Sequence, residues 1–558
     1  MAKQRGATNP RSSIGTWYPT TDAHRVPLSE AIEDVANSWV VLRDPAGELT
    51  ASRCGNIEFS RAEENPATSS PSPDSDGLPI ICWLPAAPAS SLGSGDFLGD
   101  HSVQTGYVAG SMANGIASVE LVAALAKEGC LSFYGSAGQS PEVVNTALRR
   151  LKETVPGLPW GCNLIHSPHE PTTEDAISRI LVRENVACVE ASAYLDITAP
   201  LVRLRLQGLS QDDSGQPFAR IRVMAKASRL EVARRFLSPA PPAIVDELLK
   251  SGEITPQQAQ WARSKPLCDD LTAEADSGGH TDNRPMTTLV PAFQRLRDEI
   301  AHDLPSAASV KIGAAGGLGT PDAIAAAFAL GADYVVIGSV HQACVESGSS
   351  DPVRQMLAEV GPADVIMAPA ADMFELGVHL QVLRRGTLFG PRAKRLLELY
   401  RNHDSIDEIP PADRDRLEQE FFRMSLDDVW QLTQRFFNER EPAQLQKAAS
   451  DPHHRMALIF RWYLGKSSDW ANSGDPDRQL DYQVWCGPAM GAFNEWTKDT
   501  WLADPAARRV ADVSRALMHG AALATRRESL RRQGVPVSLD PSPRRIPAAS
   551  SALQGTTT

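Results

Sequence analysis

Two glycine-rich segments near the middle of the chain have the composition expected of a phosphate-binding site. The segment 313–317 (GAAGG) and the pair Gly338-Ser339 each follow an apolar run, and one strand–helix unit separates them. Glycine lets backbone N–H groups approach a phosphate closely, and the N-terminus of a following helix favours its negative charge. The spacing therefore predicts phosphate binding by these two turns. The alternative is that the glycines only permit tight turns.

A histidine follows two glycines in the segment 274–280 (EADSGGH), at the predicted end of another strand. In a loop at that position, His280 can reach a substrate carbonyl or donate a proton near neutral pH. The residue type and its position predict a catalytic role. The alternative for a single histidine is a structural one.

Other turns have the composition of a pocket for a flat ring. The segments 110–113 (GSMA) and 135–138 (GSAG) carry small side chains and one methionine, which leaves room for a ring across a barrel mouth. Asn163 and Lys226 end two further predicted strands. An amide can bond the edge of a flavin, and a cation beside the ring stabilises its anionic reduced form. The alternatives are a loop cap for Asn163 and a surface ion pair for Lys226.

These turns belong to a repeated alternation of short apolar runs and amphipathic helices. The apolar runs cover residues 107–113, 131–138, 160–165, 187–194, 220–228, 270–280, 309–317 and 332–340. Nearly continuous apolar strands are typical of a parallel sheet with both faces covered. The sequence thus predicts an α/β protein with a (β/α)8 (TIM) barrel. A doubly wound open sheet is the competing architecture, and eight regular units favour the closed barrel.

The segments outside the barrel differ from it in composition. Residues 1–78 read as a small N-terminal module that ends in a Pro- and Ser-rich linker, and 79–85 (PIICWLP) as a buried strand. We assign 79–380 to the barrel and 381–534 to an appended helical subdomain, because the later apolar and aromatic residues recur at helical spacing. The tail, 535–558, is rich in Pro, Ser and Thr and is predicted to be disordered.

Composition argues against several classes of function. A formal net charge of −13 over 558 residues argues against nucleic acid as a general partner. No run approaches the roughly 18–20 apolar residues that cross a bilayer, and no apolar run follows the N-terminal basic residues as in a secretory signal. The 8 cysteines include no CxxC pair. We therefore expect buried free thiols, no metal site and a cytoplasmic location.

Arginines crowd one predicted helical region near the C-terminus: Arg508, Arg509, Arg515, Arg526, Arg527, Arg531 and Arg532. One interpretation is a solvated helix with its flank. The other is a docking surface for an acidic protein partner. The sequence leaves both open.

Five of these motifs, taken in order, resemble the nitronate monooxygenase and FMN-dependent enoyl-reductase superfamily: AGSMA, GSAG, SGGH, AAGG and GADYVVIGS. Longer segments narrow the resemblance. TAEADSGGHTDNRP, VIGSVHQACVESG, RWYLGKSSDWAN and DYQVWCGPAMGAFNEW are similar to the PfaD family, the trans-acting enoyl reductases of polyunsaturated fatty acid and polyketide synthases. This similarity extends to about residue 534.

The resemblance implies flavin mononucleotide (FMN) as cofactor, NADPH as reductant and a 2-enoyl thioester on an acyl carrier protein as substrate. It implies that His280 faces the substrate. It implies that Met112, Ala113, Asn163 and Lys226 line the ring and that Gly316, Gly317, Gly338 and Ser339 hold the phosphate. Gly110, Ser111, Gly278 and Gly279 are predicted as further cofactor-binding residues. Two rival functions stay open, a nitronate monooxygenase-like oxidase and a non-catalytic synthase scaffold. The oligomeric state is also open, with a homodimer as one alternative.

Overall fold

A computed structural model describes residues 13–59, 76–168, 170–213, 215, 217–535, 537 and 542–547. Most of the predicted linker and much of the predicted C-terminal tail therefore lie outside the described residues. The described chain forms two compact units. One contains the residues up to Leu92 together with those from Arg515 to Ile546, and the other contains Gly93–Ser514.

The N-terminal unit is built on a six-stranded antiparallel sheet, a short helix, Leu28–Glu33, and the part of the helix Val510–Arg532 that follows Ser514. The strands in spatial order are Val26–Pro27, Leu49–Ser52, Trp39–Arg43, Leu78–Leu84, Gly15–Tyr18 and Asn56–Phe59. The strand predicted at 79–85 is present, but its partners are the two strands on either side of it in this sheet. The module therefore continues to Leu92, past the predicted boundary at 78. An apolar run is compatible with both the N-terminal sheet and the barrel, so only the observed strand pairing shows which of the two it joins.

Two side chains of the arginine-rich region are fully buried, and neither interpretation of the region holds for these two. Arg526 is 1% exposed and donates hydrogen bonds to the carbonyl oxygens of Ala31 (2.8 Å), Asp34 (3.0 Å) and Asn37 (2.9 Å). Arg508 is also 1% exposed, and its Nε donates to a backbone carbonyl oxygen at 2.8 Å. These two guanidinium groups satisfy buried carbonyl groups and do not form a surface for a partner.

Several described residues of the predicted disordered tail are packed. Val535 is 2% exposed within an apolar cluster of the N-terminal unit. Arg544 pairs with Glu33 at 2.7 Å, and the carbonyl oxygen of Ile546 accepts a hydrogen bond from Nε of Arg515 at 3.1 Å. The prediction of disorder from residue 535 is therefore wrong for these residues, because polar composition did not reveal their partners.

Eight parallel strands close into a barrel, which confirms the predicted fold class. In chain order they are Tyr107–Ala109, Leu131–Tyr134, Gly161–Ile165, Cys188–Ser192, Arg222–Ala227, Asp270–Glu274, Lys311–Ala315 and Val335–Ile337. Pairing of the eighth strand with the first completes the ring. Each strand ends within its predicted run, so the glycine-rich motifs that follow lie in loops at one end of the barrel.

Helices surround the barrel, and several begin at a side-chain cap. Ser118, Ser140, Thr198 and Thr320 each accept a hydrogen bond from a backbone N–H of the first turn, which favours a helix start at that point. The helices are Gly95–His101, Val119–Lys127, Pro141–Thr154, Pro171–Arg183, Ala199–Gln207, Leu230–Leu237, Pro242–Lys250, Pro256–Trp261, Met286–Ala301, Pro321–Ala329, Ser339–Gln342 and Asp351–Ala358. A small hairpin, Leu209–Gln211 with Pro217–Ala219, interrupts the series.

The helical addition belongs to the same compact unit as the barrel. Its helices are Phe389–Asn402, Pro411–Arg416, Leu426–Arg440, Pro442–Ser450, Pro452–Ser473 and Pro488–Thr497. The last helix, Val510–Arg532, begins in this unit, but its residues from Arg515 onward belong to the N-terminal unit. A three-stranded antiparallel sheet connects the helical addition to the barrel loops, with strands Gly279–His280, His379–Leu383 and Val365–Pro369. The predicted boundary at 380 falls inside one of these strands. Buried aromatic residues of the addition form one core, as their helical spacing predicted.

Cysteine, metal and membrane features were searched within the described residues. All 8 cysteines are free thiols, and seven are buried, whereas Cys54 is exposed and departs from the expectation. No group of three His, Cys, Asp or Glu side chains in the described chain is arranged to hold a metal ion. None of its helices has the length and apolar character needed to cross a membrane.

Candidate active site

A cavity of about 1100 Å³ opens at the carboxyl ends of the barrel strands. Eight predicted site residues line it: Ser111, Met112, Ala113, Asn163, Lys226, Gly278, Gly279 and His280. The other five lie outside its lining, after the first, seventh and eighth strands, which are neighbours in the barrel: Gly110, Gly316, Gly317, Gly338 and Ser339. The structure thus brings the candidates to one end of the barrel, in two adjacent groups.

A buried carboxyl group holds the loop after the first strand. Glu190 is 0% exposed, and its Oε2 accepts hydrogen bonds from the N–H and the hydroxyl of Ser111. Its Oε1 has no hydrogen-bond partner among the described residues. A Cβ added to Gly110 would lie 2.8 Å from a side-chain carbon of Val336, so glycine is needed where this loop leaves the barrel. Burial raises the pKa of Glu190.

Asn163 is fixed so that only part of its amide is free. The side chain is 2% exposed, and its Oδ1 accepts hydrogen bonds from the N–H of Ser136 at 2.7 Å and from its hydroxyl at 2.9 Å. Because Oδ1 is occupied and Asn163 lines the cavity, its Nδ2 is the atom left to donate to a ligand.

Lys226 lies between two carboxyl groups on neighbouring strands. Its Nζ is 2.9 Å from Oε1 of Glu274, and both side chains are mostly buried and line the cavity. Burial alone would lower the pKa of Lys226, but Glu274 and Glu190 together raise it above its usual value. The cavity therefore contains a lysine that keeps its charge. The surface ion pair considered from the sequence is an ion pair of the cavity wall.

Replacement of Lys226 by methionine should destabilise the protein, because it leaves Glu274 and Glu190 without their cation. Breaking a buried pair costs roughly 3–5 kcal/mol, and the partial exposure of this one reduces the expected loss to about 2–3 kcal/mol of unfolding free energy. Urea unfolding measures this loss. The double variant Lys226→Met/Glu274→Leu should recover part of the lost unfolding free energy. Equal losses in the single and the double variant would contradict an energetic coupling between Lys226 and Glu274.

His280 forms a pair with a carboxylate that the sequence did not single out. Its Nε2 is 3.1 Å from Oδ1 of Asp372, in the loop after the strand Val365–Pro369. Burial alone would lower the pKa of His280, but Asp372 raises it above the ordinary value of 6.5. The same pair lowers the pKa of Asp372, against the effect of its burial. The cavity thus holds an imidazole that favours its protonated form.

Asp372→Asn should lower the pKa of His280, because the neutral amide no longer stabilises the imidazolium. In the wild-type protein the pair stabilises the fold at pH values below the ordinary histidine pKa of about 6.5, and this contribution is lost as pH rises through the higher folded-state pKa. NMR titration of the histidine ring carbons, with His280→Gln for assignment, measures both values. A His280 pKa that is the same in wild type and variant would show that the pair is not coupled.

The loops after the seventh and eighth strands present free backbone amides. Gly316, Gly317 and Gly338 have N–H groups without an acceptor in the described part of the chain. Gly316 has φ +91°, and an added Cβ would lie 2.6 Å from the carbonyl carbon of Ala275, so only glycine fits. Gly317 has φ +73°, and an added Cβ at Gly317 or Gly338 would meet nothing within 4 Å. Free amides with open space beside Gly317 and Gly338 are what an anion site requires.

A segment of the helical addition reaches these loops. The N–H of Gly487 donates to the hydroxyl of Ser339 at 3.1 Å, and a Cβ added to Gly278 would lie 2.9 Å from the backbone nitrogen of Cys486. Gly319 is similarly close to the carbonyl oxygen of Ala489, at 2.0 Å from an added Cβ. The segment around residue 487 therefore packs directly on the predicted phosphate and ring loops.

Sequence reasoning missed three functional candidates of the mouth: Glu190, Asp372 and Gly487. Glu190 stands in an otherwise apolar strand run, and a carboxyl group there is a signal for a buried role. Asp372 and Gly487 carry no such local signal, because each acts on a residue that is distant in the sequence.

Comparisons with known proteins agree with this geometry. Residues 100–385 match the family model of nitronate monooxygenase, and residues 403–482 match that of the inserted helical domain of [acyl-carrier-protein] S-malonyltransferase. The crystal structure of the enoyl reductase domain of MlnA, from the macrolactin biosynthesis cluster of Bacillus amyloliquefaciens, superposes with a TM-score of 0.75 at 36% identity. That match covers 80% of this chain and 100% of the MlnA chain.

Curated relatives belong to synthase systems. One of the polyunsaturated fatty acid synthase subunits of Thraustochytrium sp. is 42% identical over 79% of this chain and 30% of its own length. Polyketide biosynthesis protein PksE of Bacillus subtilis is 41% identical over 77% of this chain and 56% of its own length. The chain thus spans well under two thirds of the length of these relatives.

Proposed function

Because this chain belongs to the nitronate monooxygenase family, and within it to the PfaD-type enoyl reductases, we propose that it is an FMN-dependent enoyl reductase. The proposed substrate is a 2-enoyl thioester on the acyl carrier protein of a polyketide or polyunsaturated fatty acid synthase. The chain would act on it in trans, with NADPH as reductant. The observation that carries the proposal is one end of the barrel, where free glycine amides lie in loops beside a cavity whose wall includes Lys226 and His280.

The residues present fit FMN. Its phosphate would be held by the amides of Gly316, Gly317 and Gly338, which have no protein acceptor in the described chain, with open space beside Gly317 and Gly338. Its ring would lie against the small-residue loops, with Nδ2 of Asn163 as a donor to its edge. The charged Lys226 would stabilise negative charge on the reduced ring.

When bound, the flavin supplies to the β-carbon of the enoyl thioester a hydride that originates from NADPH. Negative charge then develops on the thioester carbonyl oxygen, and His280 is assigned to donate a hydrogen bond to that oxygen. Asp372 orients the imidazole and favours its protonated form. His280, or a water molecule, would deliver the proton to the α-carbon.

An acyl carrier protein as partner is supported by the names of the relatives, which are parts of synthase systems. The buried Arg508 and Arg526 do not support docking through the C-terminal arginines. A homodimer, a cytoplasmic location and the preference for NADPH over NADH stay predictions.

Anaerobic spectroscopy of the FMN-loaded protein tests the proposal. NADPH should bleach the flavin band near 450 nm, and addition of a 2-enoyl thioester should restore it without oxygen, with one saturated thioester formed per NADPH oxidised. A saturated thioester of equal length is the control. Restoration by oxygen alone would favour the oxidase alternative that the family model suggests. A protein that binds no flavin would favour a non-catalytic scaffold.

A further inference from the structure

One face of the helix Pro452–Ser473 forms a wall of the cavity. Its lining residues recur at helical spacing: Leu458, Arg461, Trp462, Gly465 and Ser468. At 1.5 Å per residue, the stretch from Leu458 to Ser468 is about 15 Å long. The cavity is therefore elongated along this helix.

The two ends of this wall differ in polarity. Near one end, the hydroxyl of Ser468 accepts a hydrogen bond at 2.6 Å from Asn114, in the loop after the first barrel strand. At the other end, Leu458 packs with Phe437 in an apolar cluster. The neighbouring Phe436 also lines the cavity and is 42% exposed. A ligand that extends from the barrel mouth along the helix therefore passes from hydrogen-bonding groups to leucine and phenylalanine side chains, where the guanidinium of Arg440 lies over the ring of Phe436 at 5.0 Å from the centroid.

The charged side chains Arg461 and Lys466 of this wall already form ion pairs within the protein. Nη1 of Arg461 is 3.3 Å from Oε1 of Glu375, and its guanidinium lies over the ring of Phe437 at 5.8 Å from the centroid. Lys466 pairs with Asp469 at 3.0 Å. These described side chains of the wall therefore offer no uncompensated charge that would select an anionic ligand.

Gly465 lies within this helix, where glycine is the least favourable residue apart from proline. A Cβ added to it would meet nothing within 4 Å, so no close packing explains the glycine. Its position on the cavity face supplies an explanation, because the missing side chain leaves room for a ligand beside the helix.

We infer that this helix face binds the acyl chain of the thioester substrate, from the barrel mouth past Gly465 to the cluster of Leu458, Phe436 and Phe437. The inference rests on the proposed function and names the substrate class, thioesters of extended aliphatic chains. The pantetheine arm suits this wall less well, because its two amides would lose their hydrogen bonds to water against leucine and phenylalanine side chains.

The test uses FMN-loaded wild-type protein and three variants, with N-acetylcysteamine thioesters of 4 to 12 acyl carbons. Gly465→Leu fills the space beside the helix, and Gly465→Ala is the matched control with the smallest added group. Phe436→Asp alters the other end of the wall at a side chain that is 42% exposed, and circular dichroism checks that the variant is folded. Two readouts are measured: kcat/KM for reduction of the 2-enoyl thioesters, and equilibrium binding of the saturated thioesters by calorimetry.

In the wild type, affinity should rise with chain length by up to about fourfold per buried methylene. Gly465→Leu should lower kcat/KM and affinity for the 12-carbon thioester at least 30-fold and those for the 4-carbon thioester less than threefold. Gly465→Ala adds a single carbon to the same face and should show a smaller loss with the same dependence on chain length, and Phe436→Asp should weaken only the longer chains. Affinity independent of chain length in the wild type, or equal losses for short and long thioesters in both Gly465→Leu and Phe436→Asp, would overturn the inference. Length-dependent binding without any reduction would instead refute the proposed function.

Discussion

Gly317→Asp is expected to yield a folded protein that purifies without flavin. Gly317 has φ +73°, is exposed, and has nothing within 4 Å of an added Cβ, so a side chain there enters the space assigned to the phosphate. Two unit charges about 4 Å apart repel by about 4 kcal/mol at an effective dielectric constant near 20. We therefore expect FMN affinity to fall at least about 100-fold, as measured by quenching of FMN fluorescence.

Gly317→Asn is the matched control for this prediction. Asparagine has the same shape as aspartate and tolerates positive φ equally well, but it has no charge. It should retain FMN much better than the aspartate variant. Gly316 is less suitable, because a Cβ there would clash with the backbone at Ala275 whether or not a phosphate binds. Equal FMN affinity of the two Gly317 variants would contradict phosphate binding at this turn.

His280→Ala is expected to lower kcat for enoyl reduction about 10²–10³-fold, because removal of one donor to a developing oxyanion typically costs that much. Reduction of the flavin by NADPH does not use this donor and should change little. Stopped-flow measurement of the two half-reactions separates the effects. A variant that keeps both FMN and full enoyl reduction would remove His280 from the mechanism.

The pH profile distinguishes donation by His280 from a purely structural role. If the imidazolium is the donor, wild-type enoyl reduction declines as pH rises through the raised pKa of His280. Asp372→Asn lowers that pKa, so the decline of the rate should begin at lower pH than in the wild type. At low pH, where the imidazole is protonated in both proteins, the rates of variant and wild type should differ less than at high pH. His280→Ala should abolish this limb of the profile. An unchanged limb in Asp372→Asn would show that another group controls it.

The barrel was predictable because the information for it is local. Each barrel strand is buried on both faces and therefore appears as a short apolar run, and each surrounding helix has one apolar face. The glycines of the mouth were predictable for a similar reason. Gly316 and Gly317 adopt positive φ, which other residues rarely do, so the backbone requirement is visible in the residue type.

The apolar strand Leu78–Leu84 shows the limit of such local information. Its composition predicts burial, and it is buried, but nothing within it specifies which sheet it joins. The buried arginines show the same limit for charged residues. Arg526 is a residue type that usually lies on a solvated surface. It nevertheless donates hydrogen bonds to three carbonyl oxygens nearly 500 positions earlier in the chain.

The sequence by itself determined the barrel, its glycine-rich mouth and the residue types available for chemistry there, because these depend on periodicity and backbone conformation over a few residues. Only the tertiary structure decided which partners orient those residues and shift their pKa values. Asp372 lies 92 positions from His280, Glu190 lies 79 from Ser111, and Gly487 lies 148 from Ser339. Such partners carry no shared local pattern, because their hydrogen bonds form only when the closed barrel and the helical addition bring distant loops together.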